Sequence, residues 1–221
     1  MSAFKPVTSN GQVIGQELYA AGAHVFFGNR HATVEMLESL YPDYKFHFVK
    51  QVHGDTLAQA PFSGEADAHW TSSRNTAIGV YTADCLPVLL HAQNLAVAIH
   101  AGWRGIAAEI VPKAIAKLAI KSPFAAYIGP HLRRESFEVG LDVAAKLESV
   151  GPKGVAFSHA DSSKKYIDLT AIARHQLQGA GLDPKSLFVN SDNTYNNSEY
   201  LSYRRDGKGC GRLISFIALR S

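Results

Sequence analysis

Two histidines and a cysteine stand where apolar runs end, each inside a short polar motif: Gln51-Val52-His53-Gly54, Ala83-Asp84-Cys85 and His100-Ala101-Gly102-Trp103-Arg104-Gly105. Two imidazoles and one thiolate meeting at a point supply three of zinc's four ligands and leave one position open, as catalytic zinc requires. Spacing does not dictate that meeting. His53 and Cys85 are 32 residues apart and Cys85 and His100 are 15 apart, which matches no compact zinc finger. Taken singly, a cysteine at the end of an apolar run suits a small buried hydrophobe, and a histidine there suits a satisfied core position. Glycines close behind both histidines favour the shared site by leaving the neighbouring backbone uncrowded. Asp84 reads either as an acceptor supporting the thiol or as a turn residue capping the strand end.

Basic residues add a second layer of candidates. Arg204 and Arg205 are consecutive, and in a strand their side chains point to opposite faces, so only one of them faces a given pocket. An arginine there holds phosphate or carboxylate in a forked geometry, and Arg104 beside Trp103 offers the same. The plainer reading of each is a solvated surface arginine. His131, after Gly129-Pro130, is a candidate acid beside the ligand or an exposed loop residue.

The elements that position these groups follow from pattern. Val34, Leu37 and Leu40 recur at helical spacing within 31–41, and four strands follow, ending near His53, Tyr81, His91 and Ile99. Pro112 suits the first turn of a helix running to about Lys121. Ala126 to Ile128 reads as a short strand and Leu141 to Val150 as a helix with Val143 and Leu147 inward. Asp168 precedes Leu169, Ile172, Ala173 and Leu177 and is expected to cap that helix rather than catalyse. Tyr200 to Arg205 and Arg212 to Leu219 read as a hairpin turning at Asp206-Gly207. Strands with segregated helices suggest α+β layering.

The chain has 221 residues, 46% of them hydrophobic and 19% charged, with no linker or repeat, so it is expected to form one domain over 1–221 with a sizeable core. A formal charge of +3 without a basic stripe argues against nucleic acid as a partner. The apolar stretch from Cys85 to Trp103 is broken by Pro87, His91, Gln93 and Asn94 and reads as two strands and a turn, not a membrane span. Met1-Ser2-Ala3-Phe4-Lys5-Pro6 leads into no apolar signal core, and two cysteines make no disulfide framework, so a cytoplasmic location is expected. Neither Gly-x-Gly-x-x-Gly nor a phosphate loop occurs, which argues against a nucleotide cofactor.

The three motifs, with Thr82-Ala83-Asp84-Cys85-Leu86-Pro87-Val88-Leu89-Leu90 in full, resemble those of the YfiH family, also called laccase-domain, multicopper polyphenol oxidoreductase or peptidoglycan editing factor proteins. Ile128-Gly129-Pro130, Phe137-Glu138-Val139-Gly140, Ser202-Tyr203-Arg204-Arg205-Asp206-Gly207 and Gly211-Arg212 extend the resemblance from about His24 to the C-terminus. It implies a four-layer α/β/β/α sandwich, similar to the catalytic domain of cytotoxic necrotizing factor toxins. It also implies zinc held by His53, Cys85 and His100, and phosphorolysis of adenosine, inosine and methylthioadenosine with adenosine deamination beside it. Copper is the family's older metal. On this reading the partners are a purine nucleoside and phosphate, bound with the help of Arg104, Arg204 or Arg205, and His131 is a proton donor. Two segments depart from the family. The Arg-x-Gly-Gly-Val-Ser stretch is missing after Phe26-Phe27-Gly28-Asn29-Arg30, where Arg30 is a shifted substitute, and the usual Cys-Thr is Asn193-Thr194.

Two other chemistries fit the same residues. In a cysteine hydrolase or amidase, Cys85 is the nucleophile and His100 or His53 its base. A copper oxidase of the blue-copper type adds a weak axial methionine, but the chain has only Met1 and Met36 and no His-x-His pair. A non-catalytic module that keeps zinc for stability is a third alternative, against which the open position and the arginines argue.

Overall fold

Leu86–Leu90 and Leu95–Ile99 are continuous apolar runs because their strands are covered on both faces. In the computed structural model, which describes residues 4–20 and 22–220, the chain begins with strands β1 (Lys5–Ser9), β2 (Gln12–Ala20) and β3 (Ala23–Gly28). Helix α1 (Val34–Leu40) and strands β4 (Lys45–Phe48), β5 (Leu57–Gln59), β6 (Ala68–Thr71), β7 (Thr76–Thr82), β8 (Leu86–Ala92) and β9 (Leu95–Ala101) follow. Helices α2 (Trp103–Ala107) and α3 (Ile110–Lys117) lead to β10 (Ala125–Ile128), β11 (Glu138–Gly140), α4 (Leu141–Glu148), β12 (Ala156–Ser158) and β13 (Lys164–Ile167). The chain ends through α5 (Leu169–Gly179), β14 (Leu187–Val189), α6 (Tyr203–Asp206) and β15 (Leu213–Leu219). Met1, Ser2 and Ala3, which carry part of the reading of the N-terminus, lie outside the described residues.

One six-stranded sheet runs β1-β2-β3-β15-β7-β4 and a second runs β14-β10-β8-β9-β6-β5. The period-two alternation of strands sorts side chains between them. Val25, Ile78, Val80 and Ile217 from the first sheet meet Leu89, Ala96, Ala98 and Tyr127 from the second in one apolar layer. The opposite face of β8 and β9, with Val88, Leu90, Val97 and Ile99, packs under α3 and α5 through Ile115, Ile172 and Leu177. The outer face of the first sheet, with Phe26 and Phe216, is covered by α1 through Leu37. Truncating a core side chain such as Leu89 to alanine is expected to cost about 2–5 kcal/mol. This is the expected α/β/β/α layering. A small sheet, β11-β13-β12, attaches at the helical side.

Several expected elements shift. Strand β4 stops at Phe48, not near His53, and the residues up to Gly54 form an irregular loop. Pro112 sits in the first turn of α3, and Asp168 caps α5 by accepting a hydrogen bond from the Ala171 N–H at 2.9 Å. The expected C-terminal hairpin is absent among the described residues, because 203–206 is a helical turn. The Ser202 side chain caps that turn by accepting from the Arg205 N–H, and Gly207 at φ +72° ends it. Among the described residues, no helix is long and apolar enough to cross a membrane.

Candidate metal centre

Strand pairing assembles the site. In the β8–β9 ladder Pro87 faces His100 and Leu86 faces Ala101, so Cys85, one residue ahead of β8, arrives beside His100. In the β6–β9 ladder Ala68 faces Ile99, which places Asp67 on the other side of His100. One ligand atom from each of His53, Cys85 and His100 lies within 4.8 Å of the others. The two imidazole rings stand edge to face with centroids 4.8 Å apart. Gly102 leaves room here, since a Cβ on it would lie 3.2 Å from both Cys85 Sγ and His53 Cδ2 and crowd both side chains.

Asp67 is the residue that sequence reading missed. Its fully buried carboxylate accepts hydrogen bonds from His100 Nδ1 at 2.7 Å and from the N–H groups of His53 at 2.9 Å, Gly54 at 2.6 Å and Val52 at 3.2 Å. Through those three N–H groups it shapes the loop that holds His53 at φ +61°. Gln51 ties the same loop to β7, its side-chain amide donating to the Tyr81 carbonyl and accepting from the Tyr81 N–H, both at 2.7 Å.

The electrostatics follow from these contacts. Burial pulls the His100 pKa down, but hydrogen bonds to Asp67 and Cys85 outweigh it and raise the value to about 9. Burial raises the Cys85 thiol, while hydrogen bonds from His100 and His53 bring it down to about 7. Burial also raises Asp67, and its bonds to His100 and the backbone N–H groups hold it below the ordinary carboxylate range. With Nδ1 bonded to a carboxylate, His100 keeps Nε2 for a metal, and a thiol near 7 is readily ionised as a ligand.

The three donors open onto a cavity of about 700 Å³. Trp103, Phe137 and Tyr203 give it aromatic walls, and Arg104, Arg204 and Arg212 give it positive charge. Arg204 is anchored by Glu138, donating to its main-chain carbonyl at 3.1 Å and pairing with its carboxylate at 3.7 Å. Arg205 turns away from the cavity and clasps the carbonyls of Thr194, Tyr195, Asn197 and Tyr200. One arginine of the pair thus faces the cavity, but a helical turn rather than strand alternation separates them. His131 does not line the cavity. It is fully buried between the Gly129 carbonyl and the Thr170 hydroxyl, and burial lowers its pKa to about 4. Of the two readings of Asp84, the turn residue holds, with the backbone at φ +83°. It accepts from the Thr194 hydroxyl and the Arg204 N–H, each at 2.6 Å, and holds the chain after 190 against β8's entry. Asn193 is buried outside the cavity lining, donating to Glu135 and Ser136. Arg30 is bonded to the Ser198 carbonyl away from the cavity, so it replaces no cavity arginine.

Residues 23–220 match the family described as multi-copper polyphenol oxidoreductase laccase. The chain belongs to that family. Its laccase-domain relatives include a Clostridium acetobutylicum protein named purine nucleoside phosphorylase, 33% identical over 180 residues, 77% of this chain and 75% of the relative. Another is the Escherichia coli protein named purine nucleoside phosphorylase YfiH, 34% identical over 180 residues, 78% of this chain and 73% of the relative. A crystal structure of a Neisseria meningitidis protein superposes with a TM-score of 0.81 at 28% identity, covering 91% of this chain and 96% of that one. Laccase-domain membership accords with a metal at His53, Cys85 and His100 and leaves its identity open.

Proposed function

We propose that this laccase-domain protein is a zinc-dependent purine nucleoside phosphorylase acting on adenosine, inosine or methylthioadenosine. The observation that carries the reading is the His53–Cys85–His100 group at the end of an aromatic and arginine-lined cavity. The names of the relatives support the same activity. The donor set fits zinc, with two imidazoles, a thiol easily ionised, and Asp67 fixing the tautomer of His100. It fits blue copper less well. Met36 packs with the outer layer of the first sheet, and no methionine lines the cavity. Bound there, zinc supplies Lewis acidity at one open coordination position.

In phosphorolysis a phosphate oxygen forms a bond to the anomeric carbon while the bond to the purine nitrogen breaks, and the base departs with the electron pair and gains a proton. The transition state carries positive charge on the ribose, so the enzyme must hold an anion close to it. Arginines lining the cavity supply charge to hold that anion, and Trp103, Phe137 and Tyr203 offer flat faces to the purine. Buried His131 is not the proton donor in this scheme. Adenosine deamination is the secondary activity. Chromatography of a purine nucleoside panel with and without phosphate tests the reading. Base released only with phosphate supports it, inosine formed from adenosine without phosphate makes the deaminase primary, and unchanged nucleosides overturn it.

One observation favours a second reading. Cys85, His100 and Asp67 also stand in the order nucleophile, base and orienting carboxylate. Elemental analysis separates the two, since a tightly held zinc occupies the thiolate that a hydrolase needs. Both cysteines are free thiols, which supports the cytoplasm as the compartment.

A further inference from the structure

The three arginines of the cavity differ in what already satisfies them. Arg204 is held by Glu138, donating to its main-chain carbonyl and sharing its carboxylate with His159 and Lys164. Arg104 and Arg212 form no ion pair among the described residues. The guanidinium of Arg104 lies 4.7 Å over the Trp103 ring, and that of Arg212 donates only to the Gly211 carbonyl and, weakly, to Cys210 Sγ. Asp84 is the one carboxylate that lines the cavity, and the Thr194 hydroxyl and the Arg204 N–H already engage it. The cavity therefore holds two positive charges with no protein counterion.

Their placement is fixed by both sheets. Arg104 sits in α2, directly after β9 delivers His100. Arg212 precedes Leu213, which pairs with Thr82 at the end of β7, three residues before Cys85. One arginine thus enters from each sheet, next to the donor group. Resting on the phosphorylase reading above, we propose that Arg104 and Arg212 together form the subsite for a tetrahedral dianion, inorganic phosphate, and that Arg204 and Arg205 do not bind it. Two forked guanidinium groups match two edges of such an anion.

Steady-state kinetics of the zinc-loaded enzyme tests the assignment with Arg104→Met, Arg212→Met and, as a control, Lys208→Met, which removes the same charge from the same loop outside the cavity. The two arginine variants are expected to raise the KM for phosphate about tenfold or more while nucleoside KM moves less than about threefold, and the control leaves both unchanged. A phosphate KM that stays within about twofold in both arginine variants, with zinc retained, overturns the proposal. Equilibrium dialysis of labelled inorganic phosphate keeps the question separate from turnover. If the wild-type enzyme releases no base, the phosphorylase reading falls by itself. The subsite then stands if Arg212→Met abolishes phosphate binding and falls if binding is equal.

Discussion

Replacing Asp67 by asparagine keeps the shape and removes the charge, and its effect can be worked out from four hydrogen bonds. Oδ1 accepts from His100 Nδ1 and the His53 N–H, and Oδ2 accepts from the Val52 and Gly54 N–H groups. An asparagine has one acceptor oxygen. If that oxygen faces His100, its NH2 group opposes the N–H groups of Val52 and Gly54. If it is turned round, His100 must accept at Nδ1 and carry its proton on Nε2, the atom the metal needs. The first arrangement strands two donors, and the second strands one, the His53 N–H. At about 1.5–3 kcal/mol for each bond to a charged group, the loss is roughly 1.5–6 kcal/mol, depending on which arrangement is adopted. For a domain of this size that lowers Tm by roughly 3–24 °C. Loss of such support also weakens metal affinity by about 10- to 100-fold. Calorimetry of metal-free Asp67→Asn measures the first effect, and chelator competition measures the second. A variant that melts with the wild type and holds metal within about twofold of it would refute the reasoning.

Three further outcomes follow from other contacts. Gly102→Ala places a methyl group 3.2 Å from Cys85 Sγ and His53 Cδ2, so metal content should fall while far-ultraviolet circular dichroism stays unchanged. Arg205→Met strips donors from four carbonyls and should destabilise the protein by about 1–3 kcal/mol. Hydrogen exchange should accelerate first at the amides of Asn197 and Tyr200, which close that loop. His24, His69 and His131 are each held near 4, chiefly by burial. Their folded values lie below the unfolded one, so their contribution is complete above about pH 6.5 and is lost as pH falls towards 4. Urea midpoints should therefore decline between pH 6.5 and 5, and a flat profile there counts against neutral burial.

The candidate metal ligands were legible because short polar motifs follow apolar runs, although His100 lies within β9 and His53 in the loop well past the end of β4. Asp67 was not, because its partner is 33 residues away and only the β6–β9 register brings them together. In Ala66-Asp67-Ala68-His69 it looks like any polar residue before a short strand. The misread C-terminus has a local cause. Asp206-Gly207 is a hairpin signal and also a helix stop, and the Ser202 cap three residues before Arg205 decides between them. Strands β1 and β2 went unread because they expose much of their length and show no apolar run, and β3 went unread although it is buried throughout.

The amide of Gln51 imitates a main-chain unit, meeting both the N–H and the carbonyl of Tyr81, two positions past the last β4–β7 pair of Phe48 with Gly79. A backbone partner at that position would commit the following residues to the sheet edge. A side-chain partner satisfies the edge and frees the main chain to turn towards the second sheet. The segment between Phe48 and Leu57 is thus fastened by side chains at Gln51 and around Asp67, with one main-chain bridge from Lys50 to Glu65. Its turn brings Val49, Gln51 and His53 to one wall of the cavity, a wall set by side-chain fastening and not by an extension of the β4–β7 pairing.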